Sequence, residues 1–490
     1  MVVARLRRSV AIVGGGVSGC SAAHRLATSG AVDVTLFDWG RAVGGRTSHR
    51  LRPEPAADGS DVSLQFDHGA QFFHVDDPTF GALVLPHAER WPTDASRLVL
   101  LDAAGGPPVP LAQRSDGAGG LFFGVGRTEL APVRYVARGG MGALVRGMLN
   151  AAYHSTDGLA LRVYEGSRVA SCERLPDGRW RLRGDGLGHE QSTADALAKS
   201  EGRLLGEFDE LLVADHMAAA MPDWHPCCLR GLADATPRAS AALRASLGWD
   251  EGVRRFSKIR PLFTCMVAFA REAGADCAVE AHDAPFDAAA IVGSDVLQWA
   301  CAQRARPHGG ARGARGAGEA EGDALRAHRW VLVSTAEFAD KCLSGEGLSR
   351  APARAAGAAG AEYVPQTDGY LRADPAAAML CEFERILARS GARGEGAALA
   401  PAARTPLLVK CQRWGAAYCA PDPPGDGGAA RAELAAALCE AEENMSVTLC
   451  GDYVSMLGLD GSAPDDAFAI QRAALSGIRA AERILARAAA

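Results

Sequence analysis

The densest chemistry in the chain lies at Gly14-Gly15-Gly16-Val17-Ser18-Gly19, entered from the apolar run Val10-Ala11-Ile12-Val13. Asp38 follows Gly19 by nineteen residues. A G-x-G-x-x-G turn between strand and helix suits a pyrophosphate. Gly14 permits the tight turn, Gly16 lets backbone approach the phosphates, and Gly19 lets the helix pack close to the strand. The first amides of that helix, from Val17 and Ser18 onward, then face the anion. Asp38 stands where an acid is expected to accept hydrogen bonds from ribose hydroxyls. These residues point to the adenine end of a dinucleotide site.

The elements that must position them are legible on either side. An Ala-rich helix is expected over 20–29 and a β-branched strand over 32–37, which completes a βαβ unit. The continuation, Asp38-Trp39-Gly40-Arg41-Ala42-Val43-Gly44-Gly45-Arg46, favours FAD over NAD. Gly44 and Gly45 leave the chain free to turn beneath a diphosphate, and Arg46 can neutralise it. A guanidinium suits phosphate because its fixed fork of donors matches two oxygens. Arg41, Gly45 and Arg46 therefore join the cofactor-binding candidates.

Further segments recur along the chain in a characteristic order. They are Phe66-Asp67-His68-Gly69-Ala70-Gln71-Phe72-Phe73, the stretch 135–144 with Gly139-Gly140-Met141, and the run from Pro285-Phe286-Asp287 to Trp299-Ala300. After these come 330–335, Gln412-Arg413-Trp414 with Ala417, Gly451-Asp452-Tyr453, and Ala473-Ala474-Leu475-Ser476-Gly477. In this order they resemble the flavin-containing amine oxidase superfamily and, within it, the renalase-like FAD-dependent oxidoreductases. The resemblance implies an α/β protein with a Rossmann-type FAD-binding domain and a second, mostly antiparallel α+β substrate domain, as in amine oxidases and p-hydroxybenzoate hydroxylase. The FAD-binding domain is expected from 1–75, 134–218 and 445–490, and the substrate domain from 76–133 and 219–444. The resemblance also implies that the Val169 backbone contacts adenine, that Gly451 and Asp452 close the site on the flavin, and that Asp452 accepts from the ribityl chain. No cysteine context for covalent attachment is present, so FAD is expected to be held noncovalently.

Three departures from the family pattern stand out. The ribose acid is usually glutamate and is Asp38 here, one methylene shorter. Gln412 stands where many relatives carry histidine, and Gln471-Arg472 replace an acid-glycine pair. These changes fall on the catalytic half more than on the nucleotide half.

In the closing segment, Asp465 and Asp466 favour a helix start, and Ile470, Ala473, Ala474, Gly477, Ile478, Ala481, Ile484 and Leu485 form an apolar helical face. Such a helix aimed at the isoalloxazine would stabilise negative charge on the reduced ring, and it could equally be an amphipathic helix packed on the sheet. Trp414, Tyr418 and Tyr453 are candidates to line the flavin face, because flat rings can sandwich a planar substrate; the alternative is that they are core aromatics. Gln71 and Gln412 are candidate polar anchors. No charged general base is identifiable, which suits hydride transfer from an already activated small molecule, with molecular oxygen as the expected acceptor. Lys258 is left unassigned. Three readings stay open: a renalase-like oxidoreductase acting on a reduced nicotinamide or related molecule, an amine oxidase or desaturase relative, and a flavin-binding protein without catalysis.

Composition bounds the rest. At 490 residues with 48% hydrophobic content, the chain can bury two cores. A net charge of −6 without a basic, aromatic-interleaved patch argues against nucleic acid as a partner. Thirteen scattered cysteines, odd in number and without C-x-x-C, argue against a disulfide framework and suggest a reducing compartment. The histidines show no metal-ligating pairing, so no metal is expected. No apolar stretch is long enough to span a bilayer, and with Arg5, Arg7 and Arg8 almost directly before the first strand no leader is expected within this sequence. The expectation is therefore a cytoplasmic protein, and nothing in the sequence sets its oligomeric state. A hairpin is expected at 175–180 and a buried parallel strand at 208–214, with substrate-domain strands at 264–269, 289–292, 330–334 and 407–411. The stretches 302–327 and 348–362, rich in Gly and Ala, are expected to be flexible insertions, with a further flexible segment at 422–428.

Overall fold

The structure is a computed structural model that describes residues 7–55, 61–92, 94–113, 133–156, 160–185, 202–252, 254–270, 285–303, 327–344, 371, 374–391, 406–420, 428–459 and 468–490. The expected flexible stretch 348–362 lies outside these residues, as do 304–326, 422–427, Asp465 and Asp466.

The apolar run at the start becomes the central strand Arg8–Val13 of a five-stranded sheet. Its neighbours are Glu210–Val213 on one side and Val32–Phe37 on the other; Val447–Leu449 and Leu161–Tyr164 form the edges. Every pairing in this sheet is parallel. Strands buried on both faces need continuous apolar runs, and Val10, Ala11, Ile12, Leu211, Leu212 and Val213 are all fully or almost fully buried.

Two helices cover one face of this sheet, Val17–Thr28 and the C-terminal Ala469–Ala489. They approach closely because the residues between them are small. A Cβ added to Gly477 would lie 2.0 Å from the Ser18 carbonyl oxygen; within the first unit, one added to Gly19 would lie 1.9 Å from the Gly14 oxygen of the preceding loop. Among the described residues the C-terminal helix begins after Phe468, with no side-chain cap. The expected apolar face of this helix is buried at Ala473, Ala474, Ile478, Ala481 and Ile484.

On the other side, Arg168–Arg174, Trp180–Asp185 and Arg203–Phe208 form an antiparallel three-stranded sheet. Its first turn is the expected Asp-Gly hairpin. Gly178 N–H donates to the Leu175 carbonyl and the Asp177 carboxylate accepts from Arg179 N–H.

A second large sheet has the order Leu408–Cys419, Ile259–Ala270, Ala327–Ser334, Leu297–Ala302, Ala288–Val292, Leu98–Asp102 and Val109–Pro110. All its pairings are antiparallel except Ala288–Val292 with Leu98–Asp102. The helix Pro375–Arg389 packs on it through Ala376, Met379, Phe383, Ile386 and Leu387, and the Phe383 ring lies 5.1 Å from that of Trp330. The spacing of those five residues is one helical stripe, which is what a helix laid on a sheet requires. The strand expected at 407–411 runs on to Cys419, because a register shift rather than a turn follows Trp414.

Candidate cofactor and substrate site

The glycine loop leaves the carboxyl end of the central strand, where parallel α/β sheets place ligands. Gly16 precedes the first helix with extended backbone (φ −73°, ψ −174°) and without a side-chain cap, so the first helical amides are left for an external acceptor. A Cβ on Gly16 would meet nothing within 4 Å, whereas one on Gly15 would meet the Asp38 carboxylate at 2.7 Å. One glycine therefore faces open space and the other faces protein.

Asp38 closes the loop from behind. Its Oδ2 accepts from Gly15 N–H at 2.7 Å and its Oδ1 from Gly40 N–H at 2.6 Å. Burial pushes its carboxyl up to about 6 against the pull of those two amides, and the carboxylates of Asp215 and Glu165 add to the rise. Glu165 accepts from Val43 N–H at 2.8 Å, and Asp215 caps the short helix His216–Ala220 through Met217 N–H at 2.8 Å. Neither acid is visible as a site residue in the sequence. Asp215 is found only by knowing that Glu210–Val213 lies beside the central strand.

The second glycine turn docks on the first. Gly44 N–H donates to the Gly15 carbonyl at 2.7 Å, and Gly45, at φ +51°, lies over Gly16 with a would-be Cβ 3.4 Å from its Cα. Arg46 extends from this turn into a bidentate pair with Asp452, Nη1 to Oδ2 at 2.7 Å and Nη2 to Oδ1 at 2.6 Å. Its Nη1 also donates to the Ala417 carbonyl at 3.1 Å. Burial works against both charges and the pairing outweighs it, holding the guanidinium above and the carboxyl below their ordinary ranges. A guanidinium carries five N–H donors. Three are used here, so two remain for a further acceptor.

That carbonyl of Ala417 is available because of a bulge. Tyr418 stands opposite Arg260 and Trp414 opposite Leu262, so four steps along one strand pass two along its partner. Extra residues in one strand leave backbone groups unpaired and bend the strand.

Trp414, at the other end of the bulge, donates through Nε1 to the His68 carbonyl at 3.1 Å and to Thr264 Oγ1 at 3.2 Å. Gly69 fills the gap between this ring and the Arg46 backbone; its would-be Cβ lies 2.0 Å from the Arg46 carbonyl oxygen and 3.3 Å from the indole. Gln412, two residues away, meets Arg50, whose Nε donates to His68 Nε2 at 3.2 Å. Gln71 is buried and turned back on its own segment, donating to the carbonyls of Asp67 and Gly69.

Trp414 and Tyr418 are half-buried and pack against the same core, whereas Tyr453 belongs to another. Tyr453 is 1% exposed, its ring folded over Gly451 and 5.7 Å from that of His216. Its hydroxyl and His216 Nε2 are both buried without a hydrogen-bond partner among the described residues. Gly451 N–H donates to Ser476 Oγ at 3.1 Å, which ties this turn to the C-terminal helix. Val169 is buried on a strand whose approach, Ser167 N–H, donates to the Asp38 carbonyl at 2.8 Å. Arg41 lies on the exposed turn between Asp38 and Gly44.

Gln471, one of the departures from the family pattern, has a structural task. Its Oε1 accepts from the amides of Asp76 and Asp77 at 2.9 and 3.1 Å, pinning the segment ahead of the helix Pro78–Val84. Among the described residues every cysteine is free. Burial pushes the thiols of Cys265 and Cys450 up to about 12, leaving them inert. Among the described residues no cluster of potential metal ligands occurs, and no helix is long and apolar enough to cross a membrane.

Residues 12–84 match the family described as NAD(P)-binding Rossmann-like domain. No curated protein matches the chain in sequence. Among solved structures, the chain is similar to a protein assigned as protoporphyrinogen oxidase from Exiguobacterium sp. 255-15, at 12% identity and a TM-score of 0.52, covering 98% of this chain and 99% of that one. It is also similar to reduced UDP-galactopyranose mutase, at 10% identity and a TM-score of 0.54, covering 99% and 95% respectively. The chain thus carries a Rossmann-like dinucleotide-binding unit within the overall fold shared by that oxidase and that mutase.

Proposed function

We propose that the protein is an FAD-dependent oxidoreductase that takes a hydride from a small reduced molecule onto flavin N5 and passes the electrons to oxygen. One observation carries this reading. Three segments far apart in sequence, the glycine loop at 14–19, the turn at 44–46 and the closing turn at 451–452, converge through Arg46. A mononucleotide-sized site would need only the first. A dinucleotide carrying a further ring system gives the other two something to hold.

The residues present fit that cofactor. Gly16 leaves room for a diphosphate, the amides of Val17 and Ser18 and two remaining Arg46 donors can reach it, and Asp38 and Asp452 keep carboxylate lone pairs for the ribose and ribityl hydroxyls. Bound flavin supplies the redox chemistry, and the protein supplies position and electrostatics. Trp414 and Tyr418 lie on the strand whose Ala417 carbonyl accepts from Arg46, and they are suited to hold a planar substrate beside the ring. The likeness in fold to a protein assigned as an oxidase supports the oxidase class.

The finer reading is renalase-like, with a dihydronicotinamide as the reductant. Its test is the visible spectrum of the purified protein, followed anaerobically as dihydronicotinamides, including their isomeric forms, and then primary amines are added. A flavin band near roughly 450 nm that bleaches with the dihydronicotinamides alone supports it. Bleaching with amines alone replaces it with an amine oxidase. A bound flavin that nothing reduces removes the catalytic claim, and a colourless protein that cannot be reconstituted with FAD removes the whole proposal.

A further inference from the structure

Arg134 is a buried cation without a counter-ion among the described residues. It is 8% exposed, its Nε is sealed from solvent with no hydrogen-bond partner, and it forms no ion pair among the described residues. Burial alone moves its guanidinium, downward, and no carboxylate opposes that movement. An isolated charge in a protein interior is costly by several kcal/mol, so such groups are normally paired or hydrogen-bonded. Two other buried arginines do have partners: Arg168 pairs with Asp185 at 3.2 Å, and Arg329 donates to the Gln65 carbonyl at 3.0 Å.

Its surroundings specify what could pair with it. Trp91 N–H donates to the Arg134 carbonyl at 2.9 Å and continues the ladder in which Arg90 faces Tyr135, so Trp91 and Arg134 are cross-strand neighbours on one face. The Trp91 ring stacks on Phe72 at 6.2 Å, and Phe72 leans on Trp299 at 5.7 Å. Phe72 directly follows Gln71 in the segment whose Gly69 packs between Arg46 and Trp414. One cation calls for one negative charge, its fork matches two coplanar oxygens, and flat aromatic walls favour a flat ligand.

We propose that Arg134 recognises the carboxylate of a flat small molecule that lies against Trp91 and Phe72. The site is independent of the flavin reading, because anion binding can be measured with or without cofactor.

Sodium benzoate is the probe, compared with sodium chloride and inorganic phosphate at equal ionic strength. Benzoate is expected to raise the melting midpoint of the native protein by about 1 °C or more at saturation and to change tryptophan fluorescence saturably. In R134M the cofactor-free midpoint is expected at or above the native one, since an uncompensated charge has gone, and benzoate is expected to do nothing. R134K, which keeps the charge and loses the fork, is expected to bind about tenfold more weakly. Equal stabilisation by phosphate, an unchanged benzoate response in R134M, or a lowered midpoint in R134M without any benzoate effect on the native protein would each overturn the proposal. If R134M does not fold, the native titration decides: no saturable fluorescence change overturns it. The visible spectrum of the same samples reports flavin binding separately.

Discussion

In the proposed FAD site, proton and cofactor compete for Asp38. Its carboxyl rises from an ordinary 3.8 to about 6 in the folded protein. At about 1.36 kcal/mol for each pH unit, that rise corresponds to about 3 kcal/mol. Between about pH 4 and pH 6 the folded chain keeps a proton that the unfolded chain has released, so the unfolding free energy of the cofactor-free protein is expected to fall by up to that amount across this window and then level. Under the proposed function cofactor binding has the opposite preference, because ribose hydroxyls donate to a carboxylate more readily than to a carboxylic acid. The affinity for FAD is therefore expected to be about tenfold weaker at pH 5 than at pH 7. Quenching of flavin fluorescence on adding cofactor-free protein, repeated across this range, reads the effect directly. D38N is expected to bind FAD weakly with no such slope, and to lose about 1–3 kcal/mol of stability because an amide cannot accept from both Gly15 and Gly40. An FAD affinity constant from pH 5 to pH 7 in the native protein, or the same slope in D38N, refutes the argument.

Two glycines of one motif are expected to behave oppositely. G16A meets nothing within 4 Å and is expected to fold with native stability but lose FAD, whereas G19A meets the Gly14 carbonyl oxygen at 1.9 Å and is expected not to fold, as judged by circular dichroism and flavin content. R46M leaves Asp452 buried and unpaired, for an expected loss of about 2–4 kcal/mol in urea denaturation; D452N in the same background is expected to recover part of it. Q471A orphans the amides of Asp76 and Asp77, with an expected loss of about 1–3 kcal/mol and faster hydrogen exchange at those two positions.

The parts of the site that could be read from the sequence are those made by neighbours in the chain. The glycine spacing, Asp38 and the turn at 44–46 form within one βαβ unit, so residue type and interval were enough. Asp215 and His216 enter because the strand Glu210–Val213 pairs with Arg8–Val13 across two hundred residues, a choice of sheet neighbour that no local pattern encodes. The bulge at 415–417 was likewise hidden, since an alternating strand and a bulged one differ by backbone register rather than by residue type. The three aromatics looked alike in sequence, yet Tyr453 follows a glycine at φ +146° that folds its ring into the second core. Gln471, which read as a lost functional residue, is accounted for by the backbone it fastens.

The grip of Arg46 on Asp452 and on the Ala417 carbonyl also bears on biosynthesis. The glycine loop is translated more than four hundred residues before the edge strand Val447–Leu449, the turn at Gly451 and the carboxylate that fixes Arg46. Throughout that interval the nascent chain holds Arg46 without the carbonyl and the carboxylate that pair with it. The bulged strand and the closing turn both dock on that one guanidinium, so this contact can form only once both have been translated.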